Sequence, residues 1–234
     1  APESSPGLSH IAPEVPTRAD LARFIRHYTA LGLHATLMDH VVSQSCYVTD
    51  PDGHTIEITC TAPRHEWRRQ DNGYPVVVAE PLDMSTLSAQ PGADEPFEGL
   101  PAVTGIGHVQ LKVTDRGLAV SEPFYLDVLG FEIGTRRGDR FLGVGVGGEI
   151  SRLVLTTRSR RDDSAPAPED SARLLGVDLL LPGASDLHDL AGRLAVAGHP
   201  HELTGDGLSV SDPSGNPLHF KVDTPATHEL VDQD

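Results

Sequence analysis

The chain has 234 residues, of which 38% are hydrophobic, so it can bury one large core or two modest ones. Its net charge is −16, from 18 Lys and Arg against 34 Asp and Glu, and the basic residues form no long cluster, so we expect no nucleic-acid partner. No apolar run is long enough to cross a bilayer, and no membrane is expected either. Two cysteines, Cys46 and Cys60, are too few for a disulfide framework, which favours a reducing, cytoplasmic location.

An internal repeat organises the chain. The stretch SHIAPEVPTRADL at 9–21 aligns with LGVDLLLPGASDL at 175–187, and YVTDPDGHTIEI at 47–58 aligns with SVSDPSGNPLHF at 209–220. In each copy a predicted strand and helix are followed by two alternating runs around an Asp-Pro-Xaa-Gly turn, which is typical of a hairpin. Two segments far apart in the chain therefore share one order of elements.

Local signals set the bounds of the two helices. Thr17, with Asp20 three residues later, predicts a capping box, and Gly32 is a stop signal after an apolar stripe at helical spacing. In the other copy we expect Ser185 to cap a helix that Gly198 closes. Both segments thus predict a one-sided amphipathic helix.

A third copy of the repeat lies between these two. TGIGHVQLKVTD, beginning at residue 104, predicts a strand, and SEPFYLDVLGF predicts a short helix with Pro123 in its first turn. Two further strands are expected to join around Gly147 and Gly148. All three copies are therefore predicted to form βαβββ units.

These patterns predict the domain organisation. The proline-containing segment between the first two copies is expected to be a linker that wraps a surface, and the polar, charged run at 158–171 an exposed loop. The expected divisions are an N-terminal half-module at 1–60, the linker at 61–103, a C-terminal module at 104–223 made of units 104–157 and 172–223, and a tail at 224–234.

Repeated βαβββ units of this kind resemble the vicinal oxygen chelate superfamily, which holds glyoxalases, bleomycin-resistance proteins and extradiol dioxygenases. Within it the chain looks most like the two-module catechol 2,3-dioxygenase-like proteins. The match runs through YVTDPDGHTIEI, the linker pieces APRHEW, EPLDM and FEGLP, and GIGHVQLKVTD with FYLDVLGFEIG. The resemblance implies an α+β fold in which repeated βαβββ units pair into modules with curved mixed β-sheets.

One stretch resembles the ring-cleavage signature of that family, which asks for a His, a Tyr, Asp-Pro-Xaa-Gly and a Glu. Here these are His40, Tyr47, Asp50 with Gly53, and Glu57, in the expected order. The resemblance implies an oxidoreductase of aromatic catabolism: an Fe(II)-dependent extradiol dioxygenase that cleaves a catechol-type diol with O2.

The resemblance also implies roles for individual residues. His10 and Glu57 would be two of three iron ligands, and two imidazoles with one carboxylate are the donor set of oxygen-activating non-haem iron. His40 would be the acid/base for the substrate hydroxyl, and Tyr47 would donate a hydrogen bond to the substrate. Taken alone, however, His10 reads as a structural histidine and Glu57 as a solvent-facing strand residue.

The third ligand is expected from the opening strand of a partner unit. For the first repeat that unit would lie before residue 1 or belong to another subunit, so we expect a homo-oligomer. A second candidate metal site pairs His108 with His219, where His219 takes the position that matches Glu57, and this pair lacks a carboxylate.

Two other functions stay open. One is a metal-free protein of the bleomycin-resistance type that binds a small aromatic ligand in the cupped sheet. The other is a glyoxalase-superfamily isomerase, lyase or hydrolase that uses a different divalent metal. Retention of His10, His40, Tyr47 and Glu57 favours the dioxygenase over the binding protein, and His40 with Tyr47 disfavours the third class.

Overall fold

The computed structural model describes residues 5–114, 117–157, 168 and 170–223. Most of the loop expected at 158–171 and the whole tail expected at 224–234 lie outside these residues. Within the described ranges, no helix is long and apolar enough to cross a membrane.

The first repeat forms a complete βαβββ unit. Its helix begins with the predicted capping box, in which the Thr17 hydroxyl accepts a hydrogen bond from the Asp20 amide and the Asp20 carboxylate accepts one from the Thr17 amide. The chain leaves the helix through Gly32, whose φ of 73° is in the left-handed region. The elements are β1 (Gly7–Glu14), α1 (Arg18–Ala30), β2 (Thr36–Asp39), β3 (Ser43–Thr49) and β4 (Thr55–Thr61).

The linker belongs to the fold of the first repeat. It contains a 3-10 turn (Arg64–Glu66), a short strand β5 (Glu80–Pro81) that pairs with β2, and a short helix α2 (Met84–Ser88). Leu87 on this helix is fully buried in the core of the first repeat. The segment therefore completes that core as well as crossing the surface.

The middle repeat follows the same order with an irregular helix. Pro123 is the last residue of its α-helix and not in the first turn, contrary to expectation, because the helix already begins at Gly117. A π-helical turn follows directly. The elements are β6 (Gly105–Lys112), α3 (Gly117–Pro123), the π turn (Phe124–Val128), β7 (Glu132–Arg137), β8 (Phe141–Gly145) and β9 (Leu153–Thr156).

The last repeat is the third βαβββ unit. Its helix is capped by Gly183 and not by Ser185, because the extended backbone stops at Gly183 and Ser185 lies inside the first turn. Gly198 follows the helix with a positive φ, as predicted. The elements are β10 (Val177–Leu181), α4 (Ala184–Val196), β11 (His201–Thr204), β12 (Gly207–Ser211) and β13 (Pro217–Val222).

The pairing of the repeats differs from the expected one. The first and middle repeats share a nine-stranded mixed sheet of order β5-β2-β3-β4-β1-β6-β9-β8-β7, in which β1 runs antiparallel to β6. The last repeat forms a separate four-stranded sheet of order β10-β13-β12-β11. The units at 104–157 and 172–223 therefore do not pair strand to strand, and the first repeat finds its partner within this chain.

Two hydrophobic cores support this arrangement. One lies inside the first repeat and includes Leu21, Ile25 and Ile58. The other is shared by the middle and last repeats, where α4 contributes Leu190 and Leu194. The last repeat is thus held to the middle one by side-chain packing, while the sheet of the middle repeat continues into the first.

Candidate metal centre

Strand register brings three potential metal ligands to one face of the nine-stranded sheet. His10 on β1 pairs with Thr55 on β4, so Glu57, two residues further along, faces the same way as His10. Ala12, two residues after His10, lies opposite His108 on β6. Since directly paired residues share a face, both histidines and the carboxylate project to the same side.

The donor atoms of these three side chains converge. The Nε2 atom of His10 lies 2.9 Å from Glu57 Oε2, and that of His108 lies 3.3 Å from the same oxygen. The two Nε2 atoms are 3.3 Å apart. One potential ligand atom from each residue lies within 4.8 Å of the other two.

The carboxylate of this centre is buried, and the two histidines beside it lower its pKa. His10 is 5% and Glu57 2% exposed. Burial raises the pKa of the Glu57 carboxyl, but hydrogen bonds from His10 and His108, together with their charges, outweigh it and hold that pKa well below its usual range. Glu57 is therefore a carboxylate at neutral pH, as a metal ligand must be.

This donor set fits one metal ion. Two ligand atoms bound at about 2.1 Å and at right angles to each other lie about 3 Å apart, which matches the separations of 2.9 and 3.3 Å between these atoms. Two imidazoles and one carboxylate on one face are the facial triad of non-haem Fe(II) oxygenases. The residues present thus fit a non-haem iron ion, which they would hold through one carboxylate oxygen and two imidazole nitrogens.

A second pair of side chains lies beside the triad. The His40 ring faces the Val78 carbonyl through Nδ1 at 2.5 Å and the Tyr47 hydroxyl through Nε2 at 3.0 Å. A carbonyl only accepts hydrogen bonds, so Nδ1 carries the proton and Nε2 of the neutral ring is an acceptor. The same Nε2 lies 3.8 Å from Glu57 Oε1, which places His40 next to the candidate ligands.

The turn that holds His40 is strained. Val41 has a φ of 70°, the one non-glycine residue with positive φ in the described ranges, and a β-branched side chain disfavours that conformation. Its amide donates to Asp39 Oδ1 at 2.7 Å, and the His40 amide donates to the Ser43 carbonyl at 2.8 Å. These bonds offset the strain and fix the backbone at His40, as is common at functional sites.

A cavity of about 470 Å³ opens over this face of the sheet. Its inner wall includes His40, Tyr47, Glu57 and His108, while the middle repeat contributes Thr135 and Phe141. The volume is in the range of small-molecule sites, which combine apolar walls with a few convergent polar groups. The two repeats thus enclose a pocket of small-molecule size beside the triad.

The structure brings together the residues of the first predicted site and separates those of the second. His10, His40, Tyr47 and Glu57 all meet at the cavity or directly behind it. His219 lies on the other sheet, where its Nδ1 contacts the Ser209 hydroxyl at 2.9 Å. The described structure therefore places His108 with His10 and Glu57, contrary to the candidate pair of His108 with His219.

Sequence reasoning did not anticipate the contributions of the linker. Val78 orients His40 through its carbonyl, and Arg64 and Trp67 line the cavity. No motif marks these residues, because each acts through its position after folding. For His108 a signal did exist, since the repeat alignment sets it at the ligand position of an opening strand.

Comparison with known proteins finds a relative in sequence and a similar fold among solved structures. A curated relative, the catechol-2,3-dioxygenase of Bacillus subtilis (strain 168), is 37% identical over 222 residues, which cover 92% of this chain and 75% of the relative. The crystal structure of a candidate dioxygenase from Bacillus subtilis subsp. subtilis str. 168 superposes with a TM-score of 0.59 at 14% identity, covering 94% of this chain. This chain spans 63% of that protein's length. No family model matches the sequence.

Proposed function

Because this chain belongs to the catechol 2,3-dioxygenase-like family of the vicinal oxygen chelate superfamily, we propose that it is an Fe(II)-dependent extradiol dioxygenase that cleaves a catechol-type diol with O2. The observation that carries this proposal is the convergence of His10, Glu57 and His108 on one buried point beside a cavity. Both the family and the donor set favour oxygen chemistry at that point.

The triad would hold the metal and leave room for both substrates. A bound Fe(II) ion supplies redox chemistry and open coordination positions for the diol and for O2. Glu57 contributes the negative charge, and its lowered pKa keeps it ionised under ordinary conditions. The two histidines come from two different repeats, so the relative position of β1 and β6 determines the geometry of the donor set.

His40 would move a proton at the substrate. The Val78 carbonyl fixes the Nδ1 proton, so the lone pair of the ring is on Nε2, which accepts from the Tyr47 hydroxyl and also faces Glu57. A diol hydroxyl in the cavity would release its proton to this atom, and the imidazolium would later return it to the ring-opened product. On substrate binding the Tyr47 hydroxyl would turn its proton from Nε2, 3.0 Å away, to the substrate, so that it orients the substrate by a hydrogen bond and leaves Nε2 to take the diol proton.

The metal-free binding function is less well supported. A protein that only sequesters an apolar ring gains nothing from a buried carboxylate that faces two imidazoles, because burial of such a charge is costly. Glu57 is 2% exposed at this position, and its carboxylate contacts both ligand-type histidines. A function that needs a metal ligand at this position accounts for the free-energy cost of burying the carboxylate.

The test is ring cleavage by the iron-loaded protein. The protein is loaded with Fe(II) without oxygen and mixed with catechol under air, and the yellow ring-opened product is followed by absorbance together with O2 uptake. We expect one O2 to be consumed for each molecule of product formed, and the protein loaded with Zn(II) to give no product. Failure to bind stoichiometric iron, with no product from any of several catechols, would remove the proposal.

A further inference from the structure

The wall of the cavity is less acidic than the chain as a whole, because it carries three arginines beside three glutamates. The protein has a net charge of −16, yet Arg64, Arg137 and Arg152 all line this one cavity. Arg152 is already engaged, since its guanidinium donates to both carboxylate oxygens of Glu149 at 2.8 and 2.6 Å. The other two arginines remain to be explained.

Arg64 and Arg137 are held by aromatic rings and not by carboxylates. The Arg64 guanidinium carbon lies 5.8 Å from the centroid of the Trp67 ring, and that of Arg137 lies 5.4 Å from the Phe141 ring. Among the described residues, neither arginine takes part in an ion pair. Stacking fixes the plane of a guanidinium while leaving its N–H donors free.

The two arginines come from different parts of the chain. Arg64 lies in the 3-10 turn of the linker, and Arg137 is the last residue of β7 in the middle repeat. Both are exposed, so they mark the mouth, whereas Glu57 and His108 line the inner wall. A ligand that reaches from the triad toward solvent would therefore meet these guanidinium donors at its outer end.

We propose that Arg64 and Arg137 bind a carboxylate carried by the aromatic substrate, so that the preferred substrate class is a catechol with an acidic ring substituent. This inference rests on the proposed function for the diol end of the ligand. A planar guanidinium matches a carboxylate with two parallel charge-assisted hydrogen bonds, which a neutral catechol does not offer. The diol would lie at the triad, and the carboxylate at the mouth.

Equilibrium binding tests the proposal without requiring turnover. Trp67 is the one tryptophan of the chain and lines the cavity, where its indole N–H donates to the Ala62 carbonyl at 2.7 Å. Quenching of its fluorescence therefore reports ligand in the cavity. Iron-loaded protein without oxygen is titrated with 3,4-dihydroxybenzoate and with 4-methylcatechol, which share the diol and differ in the charge of the ring substituent.

We expect the wild-type protein to bind the carboxylate at least about tenfold more tightly than the methyl compound, as one charge-assisted pair implies. In Arg137→Gln and in Arg64→Gln this ratio should fall toward one. Arg140→Gln is the matched control, since Arg140 is an exposed arginine that does not line the cavity, and it should keep the wild-type ratio.

Equal affinity of the wild-type protein for the two ligands would overturn the inference, and so would an unchanged ratio in both cavity variants. The proposed function fails in a different way. If neutral catechols are cleaved but the carboxylate is not preferred, the dioxygenase stands and the arginine subsite falls. If no catechol is cleaved while the preference and its loss in the variants persist, the subsite stands and the dioxygenase falls.

Discussion

His10 and His108 face each other across the antiparallel pair of β1 and β6, with their Nε2 atoms 3.3 Å apart, although they are separated by 98 positions in the chain. Both also reach the same oxygen of Glu57. The candidate centre therefore belongs to neither repeat alone. Any change that loosens the pairing of the two opening strands should disturb the donor set even where the three side chains are intact.

Glu57 and His40 are expected to have different roles, which substitution can separate. Glu57→Gln removes the one anionic ligand while keeping its shape, so iron content should fall from about one per chain to almost none. His40→Ala should retain the iron and lose about 10²- to 10⁴-fold in turnover, the usual contribution of a general acid/base. Iron content measured by mass spectrometry, together with the rate of ring cleavage, checks both.

A histidine outside the centre provides the control for this experiment. His54→Ala changes an exposed histidine in the turn between β3 and β4 and should leave iron content and rate unchanged. If Glu57→Gln and His40→Ala lose iron to the same extent, the separation of ligand and acid/base roles is wrong.

Much of the fold could be predicted because its signals are local. The capping box at Thr17 and the stop at Gly32 lie within a few residues of the helix ends that they determine. The two Asp-Pro-Xaa-Gly turns likewise fix their own hairpins, with Gly53 and Gly215 both at φ 87°. The start of α4 was misplaced by two residues because Ser185 and Gly183 are both acceptable caps, and propensity alone prefers the serine.

The pairing of the repeats could not be predicted from such signals. Three similar units offer three possible pairs, and the choice depends on long-range contacts between β1 and β6 that no local pattern encodes. The sequence indicates the position of His108 within its own strand, but not which residues lie beside it in the folded sheet. The same reason explains why Val78 was missed, since its backbone carbonyl carries no signature in the sequence.

A buried hydrogen bond joins the middle and last repeats and predicts a pH-dependent loss of stability. The hydroxyl of fully buried Tyr125 donates to Asp212 Oδ2 at 3.0 Å. Burial raises the pKa of Asp212, and hydrogen bonds from Asn216, Ser214 and Tyr125 oppose this rise. Tyr125→Phe leaves the carboxylate without one donor, so we expect it to lower the free energy of unfolding by about 1–3 kcal/mol near neutral pH.

The sign of the pH dependence follows from which form of Asp212 the hydroxyl stabilises. Tyr125 stabilises the ionised form of Asp212. The decrease in unfolding free energy caused by Tyr125→Phe should therefore grow as pH rises through the pKa of Asp212, and should be larger at about pH 7.5 than at about pH 4. Urea unfolding at both values measures it, with Tyr28→Phe as a control for removal of a half-buried hydroxyl. An equal decrease in unfolding free energy at the two pH values would contradict the role of the ionised carboxylate.

The two cysteines are expected to be unreactive in the folded protein. Burial raises the pKa of Cys46 to about 12 and that of Cys60 to about 11, and both side chains are at most 4% exposed. Because the thiolate is the reactive form, a disulfide reagent such as DTNB at about pH 8 should label native protein at least about 100-fold more slowly than unfolded protein. Rapid labelling of either thiol under native conditions would show that β3 and β4 open readily.

The central claim is that His108 of the middle repeat completes a metal centre with His10 and Glu57 of the first. The direct measurement is the iron stoichiometry of His108→Ala after anaerobic loading and dialysis, with His219→Ala as the matched control because His219 lies on the other sheet. We predict about one iron per chain in the wild-type protein and in His219→Ala, and almost none in His108→Ala. Wild-type iron content in His108→Ala would contradict the account.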